Sequence, residues 1–175
     1  GKTAVVLASI NNPNEEIINE IIGLVSERLP KFYKFDKLKD IQVLTSMRKG
    51  DLGVNNLNIE LQKYLNPPNK YKQEEEFAKR TFRVGDKVMQ IRNNYDMYWE
   101  GIDGKSYGSG VYNGDLGIVN KITTDYVEVI FDDEKVVRYE NSVLEELEHA
   151  YAITIHKSQG SEFPVVILAI PRSAP

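Results

Sequence analysis

Residues 156–162 read HKSQGSE, a polar run set between the apolar stretches AYAITI and FPVVILAI. Lys157 supplies a mobile positive charge and Ser158 a hydroxyl, while Gly160 lets a backbone N–H approach a phosphate closely. Thr154 and His156 can each donate one neutral hydrogen bond. This inventory suits phosphates, whether of a nucleotide or of a nucleic-acid backbone. It suits nucleophilic catalysis poorly, because no nearby residue completes a triad. One histidine beside one glutamate is also too little for a metal site. The competing reading is a polar loop that caps a helix, with His156 satisfying a backbone carbonyl.

The elements that would position this run come in three zones. In the first, residues 1–66, AVVLAS (4–9) is a short apolar run typical of a strand covered on both faces. NNPNEEIINEIIGLVSERL then predicts a helix, capped by Asn12 or Asn14, with Pro13 in its first turn and Pro30 as its stop. Its apolar stripe is Ile17, Ile18, Ile21, Ile22, Val25 and Leu29. IQVLTSM (41–47) predicts a second strand and GVNNLNIELQKYLNP a second helix, closed by Pro67 and Pro68. Strand, helix, strand, helix implies a parallel sheet with helical crossovers.

From Phe82 to Tyr139 the period changes to short strands with turn signals, which predicts a small antiparallel barrel, SH3-like in size. Residues 93–114, rich in Gly and Tyr, read as a loop in which Asn93 and Asn113 form turns. The third zone returns to buried parallel strands, YAITI and PVVILAI, around HKSQGSE, and PRSAP follows with no helix to cover the last strand. The chain therefore reads as a portion of a larger α/β protein with a β-rich insertion. In that partition residues 1–80 and 148–175 form the α/β domain and 81–147 the barrel.

Totals narrow the classes. With 22 basic and 26 acidic residues the net charge is −4, so any polyanion site must be local. The acidic runs EEE (74–76), DDE (132–134) and EELE (145–148) read as solvated faces. Cysteine is absent, which excludes disulfides and thiolate metal sites, and no apolar run approaches the roughly 20 residues of a membrane span. The expected location is cytoplasmic. GKT at 1–3 imitates the end of a phosphate-binding loop, but a strand follows where such a loop needs a helix.

Three stretches together resemble RecD-type superfamily 1 DNA helicases, the family of the exodeoxyribonuclease V alpha subunit. AYAITIHKSQGSEFPVVI is similar to their motif V, IQVLTSMRKGDLGVNNLNIELQKYLNP to their motif IV region, and VGDKVMQIRNNYD with NGDLGIV to their SH3-like insertion. The resemblance implies a second RecA-like domain, without a phosphate-binding loop, interrupted by an SH3-like barrel. It implies that Arg48 points at the ATP γ-phosphate as an arginine finger, the alternative being an ordinary surface arginine. Thr154, His156, Lys157 and Ser158 would contact the DNA backbone, while Gly160 and Glu162 would face the nucleotide. Gln159 would join the nucleotide side or serve a structural hydrogen bond.

Of the aromatics in the Tyr-rich segment, Trp99 is the first candidate to stack on DNA bases, with core filling as its alternative. Position 46 is Ser where the family pattern leads one to expect Pro, which should loosen the turn before Arg48. By the same resemblance ATP, Mg²⁺ and single-stranded DNA are partners of the full-length protein. The remaining motor domain would supply the triphosphate and metal ligands, so the isolated chain is expected to hold neither tightly and to be inactive. The parent would translocate 5′ to 3′ in recombination or repair. A binding module for single-stranded DNA or protein, built on the barrel, is the competing reading. A metal-dependent nuclease lacks a ligand cluster.

Overall fold

The computed structural model describes the backbone of residues 4–8 and all of residues 14–170. Residues 1–3, 9–13 and 171–175 lie outside the described residues, and with them GKT, the Asn12 and Pro13 helix start, and PRSAP. The chain divides into two compact units, residues 1–67 with 151–175, and residues 68–150.

In the first unit β1 spans Ala4–Ala8, followed by α1 (Asn14–Gly23), one π-helical turn (Leu24–Arg28) and α2 (Leu29–Tyr33). Pro30 does not stop the helix. The π turn widens the backbone just before it, with the Leu29 N–H reaching the Leu24 carbonyl, and this opens room for a ring that would clash in a regular α-helix. The helix ends at Lys34, which takes a left-handed conformation (φ 57°). Next come β2 (Ile41–Thr45), buried at every position, and α3 (Val54–Leu65).

The second unit holds β3 (Glu74–Phe77), β4 (Arg80–Arg83), β5 (Lys87–Gln90), β6 (Asn94–Gly101) and β7 (Tyr107–Val111). It continues with β8 (Leu116–Ile122), β9 (Val127–Phe131), β10 (Lys135–Tyr139) and β11 (Leu147–His149). β3 and β4 pair as a hairpin, and the others form an antiparallel sheet in the order β11-β5-β8-β9-β10-β6-β7. Its core is built from Phe82, Val88, Val129, Phe131, Val137 and Leu147, among others.

The expected loop over 93–114 is instead the β6–β7 hairpin, in which Trp99 pairs with Gly108 and Tyr98 with Ser109. The glycines there are strand positions beneath rings. A Cβ on Gly108 would lie 2.6 Å from Trp99 Cζ2, and one on Gly110 would run into the Tyr112 hydroxyl. Strand glycine under an aromatic ring keeps the pleat while freeing space for the ring. Of the two expected turn formers, Asn113 lies in the turn closed by the Asp115 N–H to the Tyr112 carbonyl at 3.0 Å, whereas Asn93 lies outside a turn and its side-chain oxygen accepts the Asn113 N–H at 3.0 Å.

Nor are the acidic runs uniformly solvated. Glu74 pairs with Arg83 at 2.6 Å, and Glu146 is buried. Glu146 accepts from Gln90 Nε2 at 2.8 Å and from Asn94 Nδ2 at 3.0 Å, while the buried Tyr139 hydroxyl donates to Gln90 Oε1 at 2.6 Å. This chain of bonds ties β5, β6 and β10 to the turn before β11.

The chain re-enters the first unit with β12 (Ala152–Thr154) and β13 (Val165–Ala169). The resulting sheet is parallel throughout in the order β1-β13-β2-β12. Val43 is in register with Ile167 on one side and Ala152 on the other, so these three share a face. They join one core with Ile17 and Ile21 of α1 and Leu57 and Leu61 of α3. Among the described residues no helix is long and apolar enough to cross a membrane.

Two outcomes follow from the second unit. Gly108→Ala pushes the single tryptophan from its seat, and is expected to cost about 1–3 kcal/mol in urea unfolding with a red shift of Trp99 emission. Burial, followed by the charges of Glu146 and Asp115, drives the Tyr139 phenol far above its ordinary value. A group whose folded pKa lies above its unfolded one stabilises fully below the unfolded pKa and loses that stabilisation as pH rises through it. Stability should therefore fall as pH passes about 10, the unperturbed tyrosine value, and Tyr139→Phe should flatten that slope in denaturation series across alkaline pH.

Candidate functional site

The candidate residues of the first unit gather at one edge of its sheet. Because all four strands are parallel, every loop that follows a carboxyl end emerges on the same side. β2 and β12 are neighbours, with Thr45 in register with Thr154, and the Ile155 N–H donates to the Thr45 carbonyl at 2.9 Å. The loop carrying Arg48 and the run HKSQGSE thus leave adjacent strand ends. Arg48, His156, Gln159, Gly160 and Glu162 are exposed there, and Thr154, Lys157 and Ser158 are half-buried.

The Arg48 loop is short and tied down. Thr45 Oγ1 donates to the Leu52 carbonyl at 2.6 Å and accepts the Met47 N–H at 3.2 Å. The first turn of α3 then reaches back, the Val54 N–H to the Met47 carbonyl at 2.9 Å and the Asn55 N–H to the Arg48 carbonyl at 3.4 Å. These bonds hold the turn that Ser46 was expected to loosen. They also satisfy helix N–H groups that would otherwise want a cap. Gly53 makes the closure feasible, since a Cβ there would lie 2.6 Å from the Arg48 and Lys49 carbonyl oxygens.

HKSQGSE folds as one 3₁₀ turn, His156–Ser158, followed by a tight turn. The Ser161 N–H donates to the Ser158 carbonyl at 3.0 Å, with Gln159 at φ −60°, ψ 130° and Gly160 at φ +85°. That is a type II turn, whose third position requires a residue tolerant of positive φ. Nothing lies within 4 Å of a Cβ built on Gly160, so glycine is needed for backbone conformation, and the space above it is open. Two hydroxyls serve the loop itself. Thr154 Oγ1 accepts the Lys157 N–H at 3.2 Å and keeps its own proton to give, whereas Ser158 Oγ donates to the Ile155 carbonyl at 2.6 Å. For Ser158 to donate to a phosphate, its hydroxyl would have to turn. Arg48, Lys49, His156 and Lys157 give this edge a local excess of cationic and donor groups that its sequence neighbours Asp51 and Glu162 only partly offset.

Trp99 belongs to the second unit. It is half-buried against that unit's core, with Gly108 beneath it and Lys135 Nζ 5.0 Å from its ring centroid. Tyr95, Tyr98, Tyr107 and Tyr112 are the exposed aromatics of the hairpin. Among the described residues no group of three or more His, Asp or Glu side chains converges to hold a metal ion.

Thr45, Gly53 and Asn58 shape this edge without standing out as candidates in the sequence. Asn58 had left a signal, a polar residue on the stripe of Val54, Leu57, Leu61 and Leu65. Gly160→Ala is expected to cost about 1–2 kcal/mol in urea unfolding and Gly160→Asn less, because asparagine tolerates positive φ better than alanine.

The model of the ATP-dependent RecD-like DNA helicase SH3 domain matches residues 57–139, and that of the UvrD-like helicase C-terminal domain matches residues 149–175. The chain is 33% identical over 185 residues to an uncharacterized protein of Methanocaldococcus jannaschii, covering 94% of this chain and 15% of that one. It is 36% identical over 127 residues to the ATP-dependent RecD2 DNA helicase of Deinococcus radiodurans, covering 73% of this chain and 16% of that one. The chain therefore spans less than a fifth of the length of either relative. In fold it is similar to the Pif1 helicase of Bacteroides crystallised with ADP-AlF3 and single-stranded DNA, at TM-score 0.50 and 18% identity, covering 91% of this chain and 40% of that one. With a RecD-like SH3 domain set between the strands of a RecA-like parallel sheet, the chain belongs to the RecD-type superfamily 1 DNA helicases.

Proposed function

We propose that this chain supplies one half of an ATP-driven clamp on single-stranded DNA within a longer helicase. The observation that carries the proposal is the shared edge, where the Arg48 loop and HKSQGSE leave adjacent parallel strands. Arg48 reaches the γ-phosphate and stabilises charge that develops during transfer. Gly160, Gln159 and Glu162 face the nucleotide, with Glu162 on a ribose hydroxyl. Thr154, His156, Lys157 and Ser158 grip the DNA backbone, Lys157 as the main charge. Residues 68–150 form an inserted domain that extends the DNA path, with Trp99 at its surface. The other motor domain of the full-length protein provides the triphosphate cradle and the Mg²⁺ ligands, so the isolated chain does not hydrolyse ATP. The parent moves 5′ to 3′ in cytoplasmic DNA recombination or repair.

Four exposed tyrosines on the β6–β7 hairpin favour a second reading, a module that binds single-stranded DNA or a protein without turnover. Mutants of the full-length protein separate the two. On the motor reading, Arg48→Ala lowers kcat for DNA-stimulated ATP hydrolysis by about 10³-fold, the lower end for an arginine finger, with little change in DNA affinity. Lys157→Ala weakens single-strand binding and reduces the slope of log affinity against log salt by about 0.7, as expected for one lost phosphate contact. Unchanged stimulated hydrolysis in both variants would remove the motor reading and leave the module.

A further inference from the structure

β12 is an edge strand of only three residues, paired with β2 on one side. The backbone N–H of Ile155 points to β2, so by the alternation of a parallel ladder the N–H and C=O of Ala152 point outward. Both are taken by one side chain. Asn58 Nδ2 donates to the Ala152 carbonyl at 3.0 Å, and Asn58 Oδ1 accepts the Ala152 N–H at 2.8 Å. Its amide thus stands in for a neighbouring strand, and both Asn58 and Ala152 are buried. Two residues beyond Ala152 comes Thr154, which holds the Lys157 N–H.

Asn58 lies on α3, the helix whose first turn holds the other loop. The Asn55 N–H donates to the Arg48 carbonyl, and Asn56 Nδ2 donates to the Asp51 carbonyl at 2.8 Å. From Asn55 to Asn58 is three residues, about 4.5 Å of helix rise and less than one turn. So short a piece of hydrogen-bonded helix moves as a rigid body. A displacement of β12 is transmitted through Asn58 to the helix turn that carries the Arg48 carbonyl, and a displacement of the Arg48 loop is transmitted the other way.

We propose that Asn58 is a positioning residue that locks the Arg48 loop to the phosphate-gripping run through α3, so that DNA held by HKSQGSE sets the placement of Arg48. The inference rests on the motor reading above. Asn58 itself faces the Ala152 backbone and touches neither DNA nor nucleotide in that reading.

The test uses the full-length protein with Asn58→Leu, which keeps the branched heavy-atom shape at somewhat greater bulk and loses both bonds, and Asn58→Asp, which keeps the acceptor but sets a carboxylate against the Ala152 carbonyl. ATP hydrolysis is measured with and without an oligothymidylate single strand, together with KM for ATP, affinity for that strand and the melting temperature. All rates are taken well below melting. The expected result is a loss of about tenfold in stimulation by the strand in both variants, with DNA-free rate, KM and strand affinity within about twofold of the parent. Stimulation retained in both variants overturns the inference. So does a parallel fall of DNA-free and stimulated rates, which marks a purely structural role, as does failure of both variants to fold. A parent protein that shows no stimulation overturns the motor reading itself, and this inference with it.

Discussion

The first unit depends on the parallel pairing of β2 with β13 on one side and β12 on the other. β2 is buried at all five positions, so its backbone groups have no water to turn to and must be satisfied by neighbours. Parallel register then dictates direction. Once β12 lies beside β2 with Thr154 opposite Thr45, their following loops must emerge together. The adjacency of Arg48 and HKSQGSE is thus a consequence of strand polarity rather than of any attraction between the two segments.

The same geometry leaves an edge to be managed. An edge strand offers unpaired N–H and C=O groups, and proteins commonly cover such edges with a helix. Here α3 covers β12, and because the edge is buried its polar groups need a polar partner as well as a hydrophobic lid. Asn58 meets that need on an otherwise apolar stripe. Asn58 and Gly53, a backbone surrogate at one point and a missing Cβ at another, both bring α3 close to the strand ends.

In the second unit aromatic residues divide by role. Phe82, Phe131 and Tyr139 fill the core, and Tyr139 extends it into a buried hydrogen-bonded chain through Gln90 to Glu146. Trp99 lies between core and surface over a glycine, and four tyrosines of the hairpin stay exposed.

Sequence by itself determined the elements whose periodicity is strong. The apolar stripe of α1, the buried runs of β2 and β13, and the short strands β8, β9 and β10 were all legible, since local burial demand is written directly in residue order. The place of HKSQGSE as a polar turn between two buried strands was legible too, because glycine and charge have meaning that does not depend on neighbours far along the chain. Three features were not. Pro30 reads as a stop but sits in a helix widened by a π turn, and the glycines at 108 and 110 read as loop but lie under rings. Asn58 stands out only as a polar interruption of the apolar stripe of α3, and residue order does not show that it bonds a strand 94 positions away. In each case a distant or wider-turn partner changed what the residue was for, and partners are chosen by packing in three dimensions. Residue types therefore defined which polar groups this edge carries, and tertiary structure decided which of them stand beside each other.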